Sequence, residues 1–153
     1  MCALALTIPA SRSSLAHFDS RAAFNIQGLG PKLIDKFVDE GLISDPADFF
    51  LLTEEDIANL PRLGEKSAQN LTREIASGKK ISLARFIYSL GIFHIGEETA
   101  YNLAQMLERQ EEIEKPTDLL RTLGGFSEEE LMKIEDIGPK VAESIYSWLK
   151  DKR

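Results

Sequence analysis

Apolar residues recur at intervals of three and four along most of this chain, with polar residues filling the positions between them. That is the period of a helix burying one stripe, and Ala68, Leu71 and Ile75 keep it. No stretch alternates apolar and polar residues between turn signals, so strands are not expected. The pattern predicts helices near 15–24, 31–40, 46–51, 54–60, 65–77, 82–90, 97–108, 117–123, 128–134 and 139–151. Thr53 and Ser127 read as N-caps, each with an acid three residues on, the spacing of a capping box. Pro31 and Pro139 stand at a first helical position, where a missing N–H costs nothing. Gly41 and Gly78 read as C-terminal stops. The expected fold is all-α.

The helical pattern repeats. Leu52–Ile75 lies over Phe126–Leu149 at an offset of 74 without a gap. Gly64, Lys66 and Ala68 then fall on Gly138, Lys140 and Ala142, and Ile57, Leu60 and Leu63 fall on Leu131, Ile134 and Ile137. More loosely, Phe24–Gly30 lies over Leu90–Gly96. Four copies of one short turn emerge, ending at Gly30, Gly64, Gly96 and Gly138 with spacings of 34, 32 and 42 residues. They group as two pseudo-symmetric pairs, about 15–78 and 82–151, the second carrying extra charged sequence around Arg109–Lys115.

Each turn ends one helix, reverses the chain and opens the next helix with its N–H groups exposed. Those groups carry the positive end of the helix dipole and suit an oxyanion such as a phosphate. A glycine there lets a ligand approach the backbone without a Cβ in the way. Leu29, Leu63, Ile95 and Ile137 are expected to plug the turns into the core. Gly28-Leu29-Gly30-Pro31, followed by Lys32, is the fullest copy. The second has Arg62 for the first glycine, then Gly64 and Lys66. The third has His94, Gly96 and the hydroxyl of Thr99, but also Glu97 and Glu98. The fourth has Gly138 and Lys140 after Glu135 and Asp136. Copies one and two therefore rank first, three next and four last. Such contacts carry almost no base readout, so binding would be independent of sequence.

Charge qualifies this picture. The 153 residues carry a net charge of −7, whereas a free-standing DNA binder is usually basic. Binding would therefore rest on a few local contacts or on a larger protein around this chain. With 43% apolar and 28% charged residues the composition is that of an ordinary globular protein. Cys2 is the one cysteine, so no disulfide framework or cysteine zinc site forms within the chain, and a reducing, cytoplasmic setting fits. His17 and His94 have no cysteine to pair with as metal ligands, and His17 reads as a packed or capping residue. Residues 1–14 read as a disordered or cloning-derived N-terminal segment; they lack the positive start of a secretory signal. No stretch approaches the ~20 apolar residues of a membrane span.

His17–Gly30, Leu63–Leu71, Leu83–Ile92, Ile95–Ala100 and Ile137–Ala142 together resemble, in register, the helix-hairpin-helix domain of bacterial NAD-dependent DNA ligases. The resemblance covers about residues 15–150. It implies four helix-hairpin-helix motifs that grip nicked duplex DNA through the backbone and minor-groove side, as one part of a clamp in replication and repair. It implies the DNA-contacting positions Gly28, Leu29, Gly30, Lys32, Arg62, Gly64, Lys66, His94, Gly96, Thr99, Gly138 and Lys140. The implied partners are double-stranded DNA and the remaining ligase domains, with the chain a monomer near the bacterial nucleoid. The family's Lys-x-Asp-Gly nucleophile motif does not occur in this sequence, nor does its four-cysteine zinc module. Catalytic residues, NAD, magnesium and zinc are therefore expected outside this segment.

Two other readings compete. One is a protein-interaction module whose degenerate turns have lost DNA and whose acidic surface docks a partner. The other is a DNA glycosylase, with Lys79 and Lys80 the nearest candidates for a catalytic lysine, although solvated surface lysines describe them better.

Overall fold

The computed structural model describes residues 11–110 and 113–151. Among them every regular element is helical: α1 (Arg12–Phe18), α2 (Pro31–Asp39), α3 (Glu54–Ala58), α4 (Glu65–Gly78), α5 (Leu83–Ser89), α6 (Glu97–Gln110), α7 (Pro116–Gly124), α8 (Glu128–Leu131) and α9 (Pro139–Asp151). A 3-10 helix, Pro46–Leu51, lies between α2 and α3. The described residues divide into two compact units, 11–81 and 82–151. In the first, α1 packs on α2 and α3 on α4; in the second, α5 packs on α6 and α8 on α9. Each such pair is one hairpin. The all-α expectation and the tandem of four motifs in two pairs both hold.

The first helix departs from its expected bounds. It starts at Arg12, because the Ser11 hydroxyl accepts the Ser14 N–H at 3.2 Å and caps it. Arg12 then pairs with Asp35 at 3.1 Å and with Asp39 at 2.5 Å, both on α2. Residues 11–14 thus belong to the fold rather than to a disordered lead; residues 1–10 of that expected segment lie outside the described residues. The helix also stops six residues short of the expected 24, at Phe18. Asp19 follows, and its carboxylate accepts the Ile26 N–H at 2.7 Å, so the chain wraps around it instead of continuing the helix. Phe24 comes back onto Phe18, their rings stacked at 4.1 Å.

The capping boxes form as the spacing requires. Thr53 and Asp56 exchange hydrogen bonds at the start of α3, and Ser127 and Glu130 do so at α8. Asp45 and Asp48 make a third such box, which tightens the 46–51 segment into a 3-10 turn and seats Phe49 in the core. The first unit is built on rings, with Phe49 stacked 6.0 Å from Phe18 and Phe37 fully buried beneath α2. Fully burying such a ring contributes about 1.5–3 kcal/mol. The second unit has an aliphatic core, in which Leu103, Leu107, Leu123, Leu131 and Ile145 are enclosed. There α7 supplies Leu119 and Leu123. Ala68 and Ala142 are buried in their hairpins, small residues at helix–helix contacts. No described helix is long and apolar enough to cross a membrane.

Candidate nucleic-acid interface

The four hairpin turns share one backbone geometry. The N–H groups of Leu29, Leu63, Ile95 and Ile137 each donate to the carbonyl three residues back, on Ile26, Leu60, Ile92 and Ile134, and every bond is 3.1 Å long. The third residue of each turn has positive φ: Gly28 at 87°, Arg62 at 67°, His94 at 66° and Asp136 at 65°. That pattern is a type II turn, which favours glycine at its third position. Only the first copy has it. In the other three a side chain is held in the left-handed region, where an L-residue is strained by roughly 1–2 kcal/mol. Arg62, in the place of the first glycine, keeps the turn at the cost of this strain.

The glycine that follows caps the next helix. Gly30 (φ −102°) and Gly64 (φ −97°) are extended, conformations any residue adopts, and neither helix has a side-chain cap. Their carbonyls accept from Ile34 and Ala68 at 3.0 Å, as Gly96 and Gly138 accept from Ala100 at 2.9 Å and Ala142 at 3.0 Å. A Cβ built on Gly30, Gly64, Gly96 or Gly138 would meet nothing within 4 Å. Neither backbone conformation nor internal packing therefore calls for glycine at these four places. Ser, Asp or Asn would cap the helices better. What glycine provides is an uncovered backbone at the positive end of α2, α4, α6 and α9.

The expected plugs are buried at Leu29, Ile95 and Ile137, but Leu63 is only half-buried. Leu60, just before that turn, is enclosed instead. Lys32, Arg62, Lys66, His94 and Lys140 are all exposed, and Thr99 is partly buried in the first turn of α6. The structure thus brings each set of candidates to its own turn. The first unit gathers Lys32 with Gly28 and Gly30, and Lys66 and Arg62 with Gly64, against one carboxylate, Glu65; the second unit's turns carry His94 and Lys140 against four, Glu97, Glu98, Glu135 and Asp136. Residues 1–81 carry nine basic and eleven acidic side chains, against nine and fourteen over residues 82–153. The first unit is the less repulsive face for an anion.

Sequence reasoning missed two ties between turns. Lys36, six residues after Gly30, donates from Nζ to the Pro61 carbonyl in the second turn. Asn102, six residues after Gly96, donates from Nδ2 to Asp136 Oδ2 in the fourth at 2.9 Å. The common offset from the capping glycine was the available signal. Lys79, once weighed as a catalytic lysine, caps α4 and lies 5.9 Å over the Phe50 ring.

Two family matches divide the chain as the hairpins do. Residues 20–77 match the SAM-like helix-hairpin-helix tandem, and residues 85–153 match the helix-hairpin-helix motif. The class is thereby defined: a tandem of helix-hairpin-helix motifs. Within that class the chain is 41% identical over 140 residues to the DNA ligase of Koribacter versatilis, across 92% of this chain and 19% of that protein. It is 44% identical over 135 residues to the DNA ligase of Desulforudis audaxviator, across 88% of this chain and again 19% of the relative. The chain is thus similar to one segment of these DNA ligases, and it spans 19% of the length of these curated relatives.

Proposed function

We propose that this chain grips duplex DNA by its phosphate backbone, without reading sequence, as the clamping segment of an NAD-dependent DNA ligase acting on nicked DNA in replication and repair. One observation carries the reading: four capping glycines stand where neither packing nor a left-handed backbone requires glycine, each at the open N-terminus of a helix of nine or more residues. Phosphate oxygens are the ligand such termini hold best. The similarity to DNA ligases supports duplex DNA over a small phosphate compound.

In this reading Gly28, Leu29, Gly30 and Lys32 form the strongest contact and Arg62, Gly64 and Lys66 the second. His94, Gly96 and Thr99 make a weaker third, and Gly138 with Lys140 the weakest. The chain works as a monomer beside the remaining ligase domains, in the bacterial cytoplasm, and the chemistry of strand joining lies in those domains. Among the described residues no group of three or more His, Cys, Asp or Glu side chains is placed to hold a metal. NAD, magnesium and zinc are assigned to the rest of such a ligase.

Titration of a labelled nicked duplex at several salt concentrations tests this. With about four phosphates engaged, log affinity falls with log salt at a slope of about −3 to −4. Arg62→Glu with Lys66→Glu is expected to weaken binding at least about tenfold at low salt and to flatten that slope by about 2. Unchanged affinity would contradict the reading and favour a protein-interaction module that docks a partner through the acidic second unit.

A further inference from the structure

The second residue of the four turns is Gln27, Pro61, Phe93 and Glu135. Three of these are what a solvated turn ordinarily carries. Phe93 is not: it is a large ring, 75% exposed, the most exposed large apolar side chain described. A ring left in water at a turn forgoes about 1.5–3 kcal/mol of burial. Nothing in the turn needs it there, since Gln27, Pro61 and Glu135 hold the same geometry.

Resting on the reading of these turns as DNA contacts, we propose that Phe93 is an apolar wedge that enters the minor-groove side of the duplex and stacks on a base at a step opened by a nick. The preference of this chain for nicked over intact duplex then comes from the third turn. Three observations point there. First, the His94 ring lies beside Phe93 in the same turn, centroids 4.2 Å apart, so two exposed rings stand together at its tip. Second, the same turn is poor at holding phosphate. Glu97 and Glu98 occupy the first turn of α6, and the place two residues past the capping glycine, lysine in the other three copies, is Glu98. An apolar contact to a base needs no positive charge. Third, Phe93 is the one large apolar residue exposed within a hairpin turn among the described residues: the others of its unit are Tyr101 on α6 and Met132 after α8. A protein-docking surface is a contiguous patch, whereas a single apolar ring at the tip of a turn is the form an intercalating side chain takes.

The phosphate-holding turns cannot tell a nicked duplex from an intact one, because both present nearly the same backbone. A wedge can. Opening a base step costs a few kcal/mol in intact DNA. That cost falls where one strand is broken and the step can bend freely.

The test compares wild type with Phe93→Ala and Phe93→Trp on nicked and intact duplexes of one sequence, with 2-aminopurine at the nick as a stacking reporter. The expected result is a loss of about five- to twentyfold in affinity for the nicked duplex with Phe93→Ala. Affinity for the intact duplex and the salt slope stay as in wild type, and the 2-aminopurine response disappears. Phe93→Trp restores both the preference and the response. Equal binding of both duplexes by wild type, or a nick preference that survives in Phe93→Ala, would overturn the wedge while salt-dependent binding upheld the phosphate-holding turns. Absence of any salt-dependent binding by wild type would overturn both.

Discussion

Asn102 on α6 donates from Nδ2 to Asp136 Oδ2 at 2.9 Å, so the second helix of the third hairpin holds the turn of the fourth. Lys36 on α2 makes the matching link in the first unit, to the Pro61 carbonyl of the second turn. In each unit one polar side chain, six residues past a capping glycine, ties the two turns of a pair together. Two phosphate contacts made by one unit would therefore keep a fixed spacing.

Asp136 takes part in that tie, yet it is also a negative charge beside the N-terminus of α9. Asp136→Asn keeps an acceptor for Asn102 and a residue type that tolerates the left-handed region, while removing the charge. Its unfolding free energy is expected to change by less than about 0.5 kcal/mol, and its affinity for nicked duplex at low salt to rise about two- to fivefold. Urea denaturation and a DNA titration check the two halves. An unaltered affinity would place the fourth turn away from DNA.

Strain at Arg62 is separable from its charge. Arg62→Gly and Arg62→Ala both remove the cation, but only glycine relaxes at φ 67°. After allowance for the greater freedom of glycine in the unfolded chain, Arg62→Gly is expected to be about 1 kcal/mol more stable than Arg62→Ala. Both should bind DNA equally weakly. Equal urea midpoints for the two variants would show that the turn carries no strain.

Asp19 makes stability depend on pH in a direction opposite to the capping acids. Burial pushes its carboxyl up to about 6, partly countered by the Ile26 N–H it accepts. The folded state therefore holds this proton more tightly than the unfolded chain, where the value is 3.8. Its effect on stability is most favourable below about pH 4, declines as pH rises through the range from about 4 to about 6, and is level above that. Burial raises the Asp48 carboxyl, but the combined hydrogen bonds from Ser44 and Asp45 lower it overall, as those from Thr53 and Ser127 lower Asp56 and Glu130. The support of these three is present above their unfolded values and is lost as pH falls through the lowered ones. Asp19→Asn removes the Asp19 contribution alone. The variant is expected to exceed wild type in stability at pH 7, with the difference shrinking steadily towards pH 4. A difference of the same size at both pH values would show that Asp19 titrates normally.

Much of this architecture could be read from sequence because it rests on short-range rules. The capping acids after Thr53 and Ser127, the prolines at 31 and 139 and the 74-residue offset each mark a helix start or a repeat by local spacing. What escaped was set by contacts between distant residues. The end of α1 at Phe18 depends on Asp19 reaching Ile26, and its start, capped locally by Ser11, is tied to α2 through Asp35 and Asp39. Leu63 is half-buried although its position in the repeat marks it as a plug, because neighbours rather than periodicity decide enclosure. The candidate turns were legible from their glycines. The left-handed backbone at Arg62 was not, since arginine does not announce positive φ, whereas the Asp and His types at 136 and 94 adopt it more readily.

The central claim is that Gly30 and Gly64 are glycine for the sake of an approaching phosphate. The affinity of the Gly30→Ser, Gly64→Ser double variant for a nicked duplex, taken beside its urea midpoint, tests it most directly. A serine hydroxyl at each position has open space around it and can cap its helix, so the fold is expected to be as stable as wild type or more so. The same hydroxyls would occupy the N–H groups and block the backbone, and affinity is expected to fall at least about tenfold. A stable double variant that binds nicked DNA as tightly as wild type would contradict the claim.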